Sequence, residues 1–259
     1  MLSAFLFFIT LPAVASAQAE TARVRHVLDG DSFLLADGRQ VRLIGINAPE
    51  LGKDGAPSQP LAQQARNRLS RLIKGQTLTL SHGRERQDHY GRWLVHARLA
   101  DGASIEEILL REGLAWAIAI PPNVDQLDSL LRAETEARAA GRGVWGEAAY
   151  TPKPASDLTE KDTGFRFIQG TIQRRAKGRK VIYFDLAPHV ALVVPHAEWK
   201  KYFDVQGGTN VAGDRMSGAN EGKSADLVGR SVVARGWLTQ SKGRLHLRVP
   251  HPAMLTWRD

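Results

Sequence analysis

Asp29-Gly30-Asp31 sets two carboxylates at alternate positions of an extended chain, on one face, with a glycine between them that permits close approach. Asp-Gly is also an ordinary turn, so the pair gains chemical meaning only from its company. Arg42 falls on a following strand and Glu50 comes directly after Pro49, which could gather carboxylate, guanidinium and carboxylate around one point. Oxygen donors of this kind suit a hard cation such as calcium, and the forked donors of arginine suit a phosphate oxygen. Tyr90-Gly91, beside Arg92, reads either as part of a phosphate pocket or as a turn.

A second group lies far along the chain. Arg174, Arg175, Lys177, Arg179 and Lys180 crowd five cations between two predicted strands, with Phe165, Phe167, Tyr183, Phe184 and Trp237 nearby. A positive groove with stackable rings binds single strands with little sequence preference. Core rings beside merely solvated charges would give the same pattern.

The elements that must position these residues follow from periodicity and turn signals. Strands are expected over residues 24–28, 32–35 and 40–46, with Asp29-Gly30 and Asp37-Gly38 as turns. Leu61, Ala65, Leu69 and Leu72 recur at helical spacing within 58–73, and Lys74-Gly75 ends that helix. Strands return over 76–81 and 93–99. Ser104 with Glu107 forms a capping box for a helix that stops at Gly113, and a last helix over 127–140 stops at Gly141. The sum is an α+β unit, a small barrel wrapped by helices. Residues 148–164, rich in Pro, Ser and charge, read as a linker. Beyond it, strands over 165–173, 181–186, 191–194, 231–238 and 245–249, with an amphipathic HAEWKKYF segment, suggest a second small all-β barrel of OB type. Residues 206–224 form a Gly-rich stretch.

Length and charge bound the rest. At 259 residues the chain has room for two domains. Residues 18–150 carry 17 Lys/Arg against 17 Asp/Glu and residues 151–259 carry 18 against 10, so the whole excess of +8 sits in the second half. That asymmetry points to a polyanionic partner, with nucleic acid the usual candidate, or to a solvated basic surface. An apolar run over residues 2–14 followed by Ala15-Ser16-Ala17 resembles a signal peptide, giving residues 1–17 as a cleaved leader and a periplasmic or extracellular destination; no Lys or Arg precedes the run. With no cysteines, thiol usage does not decide the compartment, and the eight histidines lack the paired spacing of a zinc site.

In order along the chain, Asp29-Gly30-Asp31-Ser32, the run Val41-Arg42-Leu43-Ile44-Gly45-Ile46 leading into Ala48-Pro49-Glu50, Asp88-His89-Tyr90-Gly91-Arg92, Leu110-Arg111-Glu112-Gly113-Leu114-Ala115 and Gly143-Val144-Trp145 resemble the staphylococcal nuclease-like family over residues 24–147. The resemblance implies a five-stranded OB barrel with three helices and calcium-dependent hydrolysis of DNA or RNA phosphodiesters to 3′-phosphates. It makes Asp31 a calcium ligand, Ala48 the donor of a carbonyl ligand, Glu50 the group that positions or deprotonates water, and Arg42 and Arg92 the phosphate clamps. Asn47 stands where the family supplies a second aspartate. Asp29 is expected to order the turn, and the family's base-stacking tyrosines are not evident around Trp116. Two functions of different class remain: an exported calcium-dependent nuclease acting as a monomer without a stable membrane partner, and a nucleic-acid-binding protein on an impaired nuclease scaffold.

Overall fold

Val24 and Val27 are both buried in β1 (Glu20–Asp29), although a spacing of three would send them to opposite faces of a regular strand. The register slips between Val24 and His26, and this bulge turns both valines inward. The bend also lets β1 serve two neighbours: its first residues pair with β5 and its later ones with β2. The structure, a computed structural model, describes residues 19–52, 54–204 and 227–258. The expected leader and the Gly-rich stretch at 206–224 lie outside the described residues.

The first half continues through β2 (Ser32–Leu35), β3 (Gln40–Leu43), β4 (Ile46–Asn47), α1 (Ala62–Ile73), β5 (Thr77–Gln87), β6 (Trp93–Arg98), α2 (Ile105–Arg111), β7 (Trp116–Ala117) and α3 (Leu127–Ala139). Strands β1-β2-β3-β6-β5 close into a barrel, in which only the β3–β6 pair is parallel. This is the α+β OB-type barrel expected from the sequence. The Ser104 hydroxyl accepts from the Glu107 amide at 3.3 Å, as the capping box predicts. Gly141 takes a positive φ of 60° where α3 stops. Strands β4 and β7 pair as a separate two-stranded ribbon, Asn47 opposite Trp116, which two-residue runs gave no periodicity to reveal.

The stretch expected as a linker is tied down. It contributes β8 (Lys153–Pro154), which runs parallel to β9 (Gly164–Thr171), and Lys153 pairs with Asp162 at 2.9 Å. There follow β10 (Arg174–Lys177), β11 (Val181–Ala187), β12 (Val190–Pro195), a helical turn over the HAEWKKYF segment, β13 (Ser231–Ser241), β14 (Arg244–Arg248) and β15 (Leu255–Arg258). Only Ile172 and Gln173 separate β9 from β10. Strand β9 pairs with β13 while β10 pairs with β11, as the two ends of β1 do with β5 and β2. The remaining ladders, β11–β12 and β13–β14 antiparallel and β12–β14 parallel, repeat the order of the first barrel.

The two halves share one hydrophobic core, which runs from Val24 and Leu69 through Ala119 and Leu130 to Ile168 and Met254. Across the seam Arg235 donates to both carboxylate oxygens of Glu134 at 2.6 and 2.7 Å, and both residues are buried. The Trp116 ring stacks on Phe165 with centroids 5.3 Å apart.

Candidate active site

The Asp29-Gly30-Asp31 turn sits where β1 passes to β2, under α1. A Cβ on Gly30 would come within 2.6 Å of the Ala48 Cβ and 2.8 Å of the Ala65 Cβ, so the bare glycine lets the helix and the loop after β4 close on the acidic turn. Asp29 Oδ1 accepts from the Gly30 amide at 2.8 Å, which orders the turn as expected. Asp31 points inward and is 2% exposed. Its Oδ2 accepts from the Ala48 amide at 2.8 Å and its Oδ1 from the Ser32 hydroxyl at 2.9 Å.

Arg42, buried on β3, completes the pairing: one terminal nitrogen meets Asp31, and the other donates to Asn47 Oδ1 at 2.8 Å and to the Ile46 carbonyl at 3.3 Å. Burial first, and then the positive charge of Arg92, lower the Arg42 pKa, against the opposing pull of Glu50, Asp29 and Asp88, to about 10. At neutral pH it stays charged. These four charges act on Arg42 from β1, from the loop after β4 and from the turn between β5 and β6.

Arg92 is held by a residue singled out only as part of its motif. Asp88 Oδ2 accepts from Arg92 Nε and from a terminal nitrogen, both at 2.7 Å, and Oδ1 accepts from the amides of Tyr90 and Arg92. Burial acts to raise the Asp88 pKa, but the side-chain and backbone hydrogen bonds from Arg92 outweigh it and hold the carboxyl below its usual range. Tyr90 is 74% exposed, with the Arg92 guanidinium 5.4 Å from its ring centre. Glu50 is exposed, and its main chain is clasped by Gln59: the Glu50 amide donates to Gln59 Oε1 at 2.9 Å, and the Glu50 carbonyl accepts from the Gln59 amide at 2.9 Å. Sequence reasoning misses Gln59, because a glutamine nine positions away in a Pro- and Ser-bearing loop carries no chemical signature of its own.

The expected metal donors are Asp31, Asn47 and the carbonyl of Ala48. All are hard oxygens, so the donor set fits calcium in type. Only one of them carries charge, and Asp31 and Asn47 both face the same guanidinium, so the fit is that of a weak site. Among the described residues no cluster of three or more His, Cys, Asp or Glu that could hold a metal gathers, at this site or at any other.

Trp116 is buried against Tyr150, Phe165 and Phe167 and is not available to stack on a base. The second basic group is laid out differently from a simple loop. Arg174 and Arg175 lie on β10 with Lys177, and Arg179 and Lys180 follow in the turn to β11; all five are exposed. Arg174 pairs with Asp185 at 2.7 Å, and Arg175 lies 5.4 Å over the Trp199 ring. Of the rings expected beside them, Phe165 and Phe167 face the seam and Phe184 is core. Tyr183 is half-buried and Trp237 is 38% exposed.

Comparison with known proteins matches residues 40–147 to the family model described as staphylococcal nuclease homologue. The chain is 30% identical over 135 residues to the thermonuclease of Staphylococcus hyicus, covering 51% of this chain and 79% of that protein. It is 34% identical over 131 residues to the thermonuclease of Staphylococcus intermedius, covering 49% and 77%. It is 32% identical over 133 residues to an uncharacterized endonuclease of Escherichia coli O157:H7, covering 50% and 80%.

Proposed function

The chain belongs to the staphylococcal nuclease-like family, and from that membership we propose that it is a calcium-dependent endonuclease that hydrolyses DNA or RNA phosphodiesters to 3′-phosphates. The observation that carries the reading is the position of Arg42, paired with Asp31 and Asn47 and within the field of Arg92, Glu50, Asp29 and Asp88.

Hydrolysis builds charge on phosphorus as water adds, so the site must offset that charge and take up a proton. Arg42 and Arg92 donate to the non-bridging phosphate oxygens, and Asp88 fixes the direction of the Arg92 fork. The Glu50 carboxylate accepts the proton of the attacking water, and the Gln59 clasp on its main chain limits how far it wanders. The phosphorus to 5′-oxygen bond breaks, the 5′-oxygen takes a proton, and phosphate stays on the 3′ side. Asp31, Asn47 and the Ala48 carbonyl would hold calcium, which when bound would draw charge from a phosphate oxygen. The apolar run ahead of Ala15-Ser16-Ala17 supports export to the periplasm or medium.

Asn47 and the two-pronged hold of Arg42 favour a second reading, a nucleic-acid-binding protein with an impaired site. One assay separates the two. Purified chain is given labelled single- and double-stranded DNA and RNA with calcium, magnesium or chelator. Calcium-dependent, chelator-sensitive cleavage supports the enzyme; retention of the strands without cleavage at any calcium level supports the binding protein.

A further inference from the structure

The last turns of the first half and the outer strands of the second enclose a cleft of about 300 Å³, lined by Arg138, Trp145, Glu147, Tyr150, Phe167 and Arg258, among others. It shares none of its lining with the active site. Its size is at the lower end of small-ligand pockets, which start at roughly 300 Å³.

Its chemistry is mixed in a particular way. Trp145 and Phe167 form an apolar corner, their ring centres 5.9 Å apart and their planes at 75°. The Arg138 guanidinium lies 5.3 Å over the Trp145 ring. Neither Arg138 nor Arg258 has a carboxylate partner among the described residues, whereas Arg235, also in the lining, is neutralised by Glu134. The Trp145 indole Nε1 is buried without a hydrogen-bond partner among the described residues. That nitrogen is closed to water, so a ligand in the cleft meets the ring rather than its N–H. The Tyr150 hydroxyl donates to the Pro60 carbonyl at 2.6 Å, and burial and then Glu147 raise its pKa.

We propose that this cleft binds a nucleotide unit, with the base in the corner of Trp145 and Phe167 and the phosphate on Arg138 and Arg258. Glu147, the only carboxylate among the described residues of the lining, argues against a bare polyanion and suits the amino or hydroxyl donors that a nucleotide carries. Base stacking on aromatic rings and a phosphate on guanidinium groups are each favourable without sequence readout. The unit is either a free mononucleotide or the phosphorylated end of a strand. The proposal does not require cleavage, so its failure and the failure of the nuclease reading are separable.

The test uses the full chain carrying Arg92→Ala with chelator present, so that phosphate binding at the active site is weakened while the buried Arg42–Asp31 pair stays intact. Adenosine 3′-phosphate, a tetranucleotide ending in a 3′-phosphate, adenosine and inorganic phosphate are titrated by calorimetry and by indole ¹H–¹⁵N signals. The Trp145 signal is assigned by its loss in Trp145→Phe. The nucleotide should shift that signal and bind at least about tenfold more tightly than adenosine or phosphate alone, and Arg258→Ala or Arg138→Ala should weaken it about tenfold, the worth of roughly 1.4 kcal/mol. Arg258→Lys, with folding checked by circular dichroism, should lose less than Arg258→Ala. Tetranucleotide binding equal to that of the mononucleotide assigns the strand end; binding of the mononucleotide alone assigns the free product. An unmoved Trp145 indole, an affinity indifferent to both arginine changes, or phosphate binding as tightly as the nucleotide would overturn the proposal.

Discussion

At the turn where β1 passes to β2 the first half carries Asp29 and Asp31, and where β10 passes to β11 the second half carries Lys177 at the strand end with Arg179 and Lys180 in the turn. The surrounding ladders follow one order, so the difference lies in what each turn does with its charge. Asp31 is driven inside and must be answered by Arg42, Ser32 and an amide. The cations of the second turn stay in water and need no answer. A buried charge is costly unless paired, while a solvated one is worth little to the fold and can act at a distance on a polyanion. The seam between the halves comes first, because there one buried carboxylate answers both a buried guanidinium and a buried amide.

Glu134→Ala leaves Arg235 buried with its charge uncompensated and also strips the Ala117 amide of its acceptor at 2.7 Å. Removing one partner of a buried pair costs about 3–5 kcal/mol. Urea unfolding followed by both circular dichroism and tryptophan emission should show a midpoint loss of that order. A loss below about 1 kcal/mol would mean that the halves do not depend on their seam, and the comparison would become one between independent units.

Next come the two proposed clamps, Arg42 and Arg92, which burial separates. Arg92→Ala should lower cleavage by about 10²–10³-fold, the usual cost of one transition-state donor, with a modest change in stability because Arg92 is partly exposed. Arg42→Ala should lower cleavage at least as much and also destabilise the fold, since Asp31 then remains enclosed without its counter-ion. Cleavage rates and unfolding midpoints for both variants check this. Equal stability losses would show that the acidic turn is no more dependent on pairing than the exposed Arg92 loop.

How far these places are legible in the sequence follows the same division. Asp31, Arg42, Glu50 and Arg92 stand out because their types are rare in such company, and the barrel that holds them announces itself by alternation and turn residues. What escapes are partners chosen by folding. Gln59 reaches Glu50 from a loop of no regular period, and β4 and β7 are too short to show a pattern. Residues 148–164 have the composition of a linker, yet Lys153 and Pro154 add a strand beside β9, because backbone pairing asks little of side-chain identity. Trp116 and Phe165 are apolar residues whose destination is unreadable until both halves are in place.

Asn47→Asp acts on the acidic turn alone. The added charge would sit against Arg42 and beside Asp31, giving the oxygen set two formal charges instead of one. If that is worth about 1.4 kcal/mol, the calcium needed for half-maximal cleavage should fall about tenfold. No change in calcium dependence would remove Asn47 from the donor set. Cleavage appearing only in the variant would show that the native site is disabled.

The smallest effect belongs to the exposed turn and shows itself in salt rather than in stability. Each phosphate that a removed cation no longer neutralises should lower the slope of log affinity against log salt by about 0.9 on duplex DNA or about 0.7 on a single strand. The five cations should not contribute equally. Arg174 is already engaged by Asp185 at 2.7 Å, so its guanidinium is less free to meet a phosphate than the unpaired cations are. Lys177, Arg179 and Lys180 have no carboxylate partner among the described residues. Replacing these three with alanine should therefore flatten the salt slope by about two units or more if all three meet phosphates, while Arg174→Ala leaves it nearly unchanged. Filter binding of a labelled single strand from low to physiological salt, with unfolding midpoints measured alongside, makes the comparison. A triple variant with native slope would confine nucleic-acid binding to the first half, and a loss of stability in that variant would show that these charges are more than solvated.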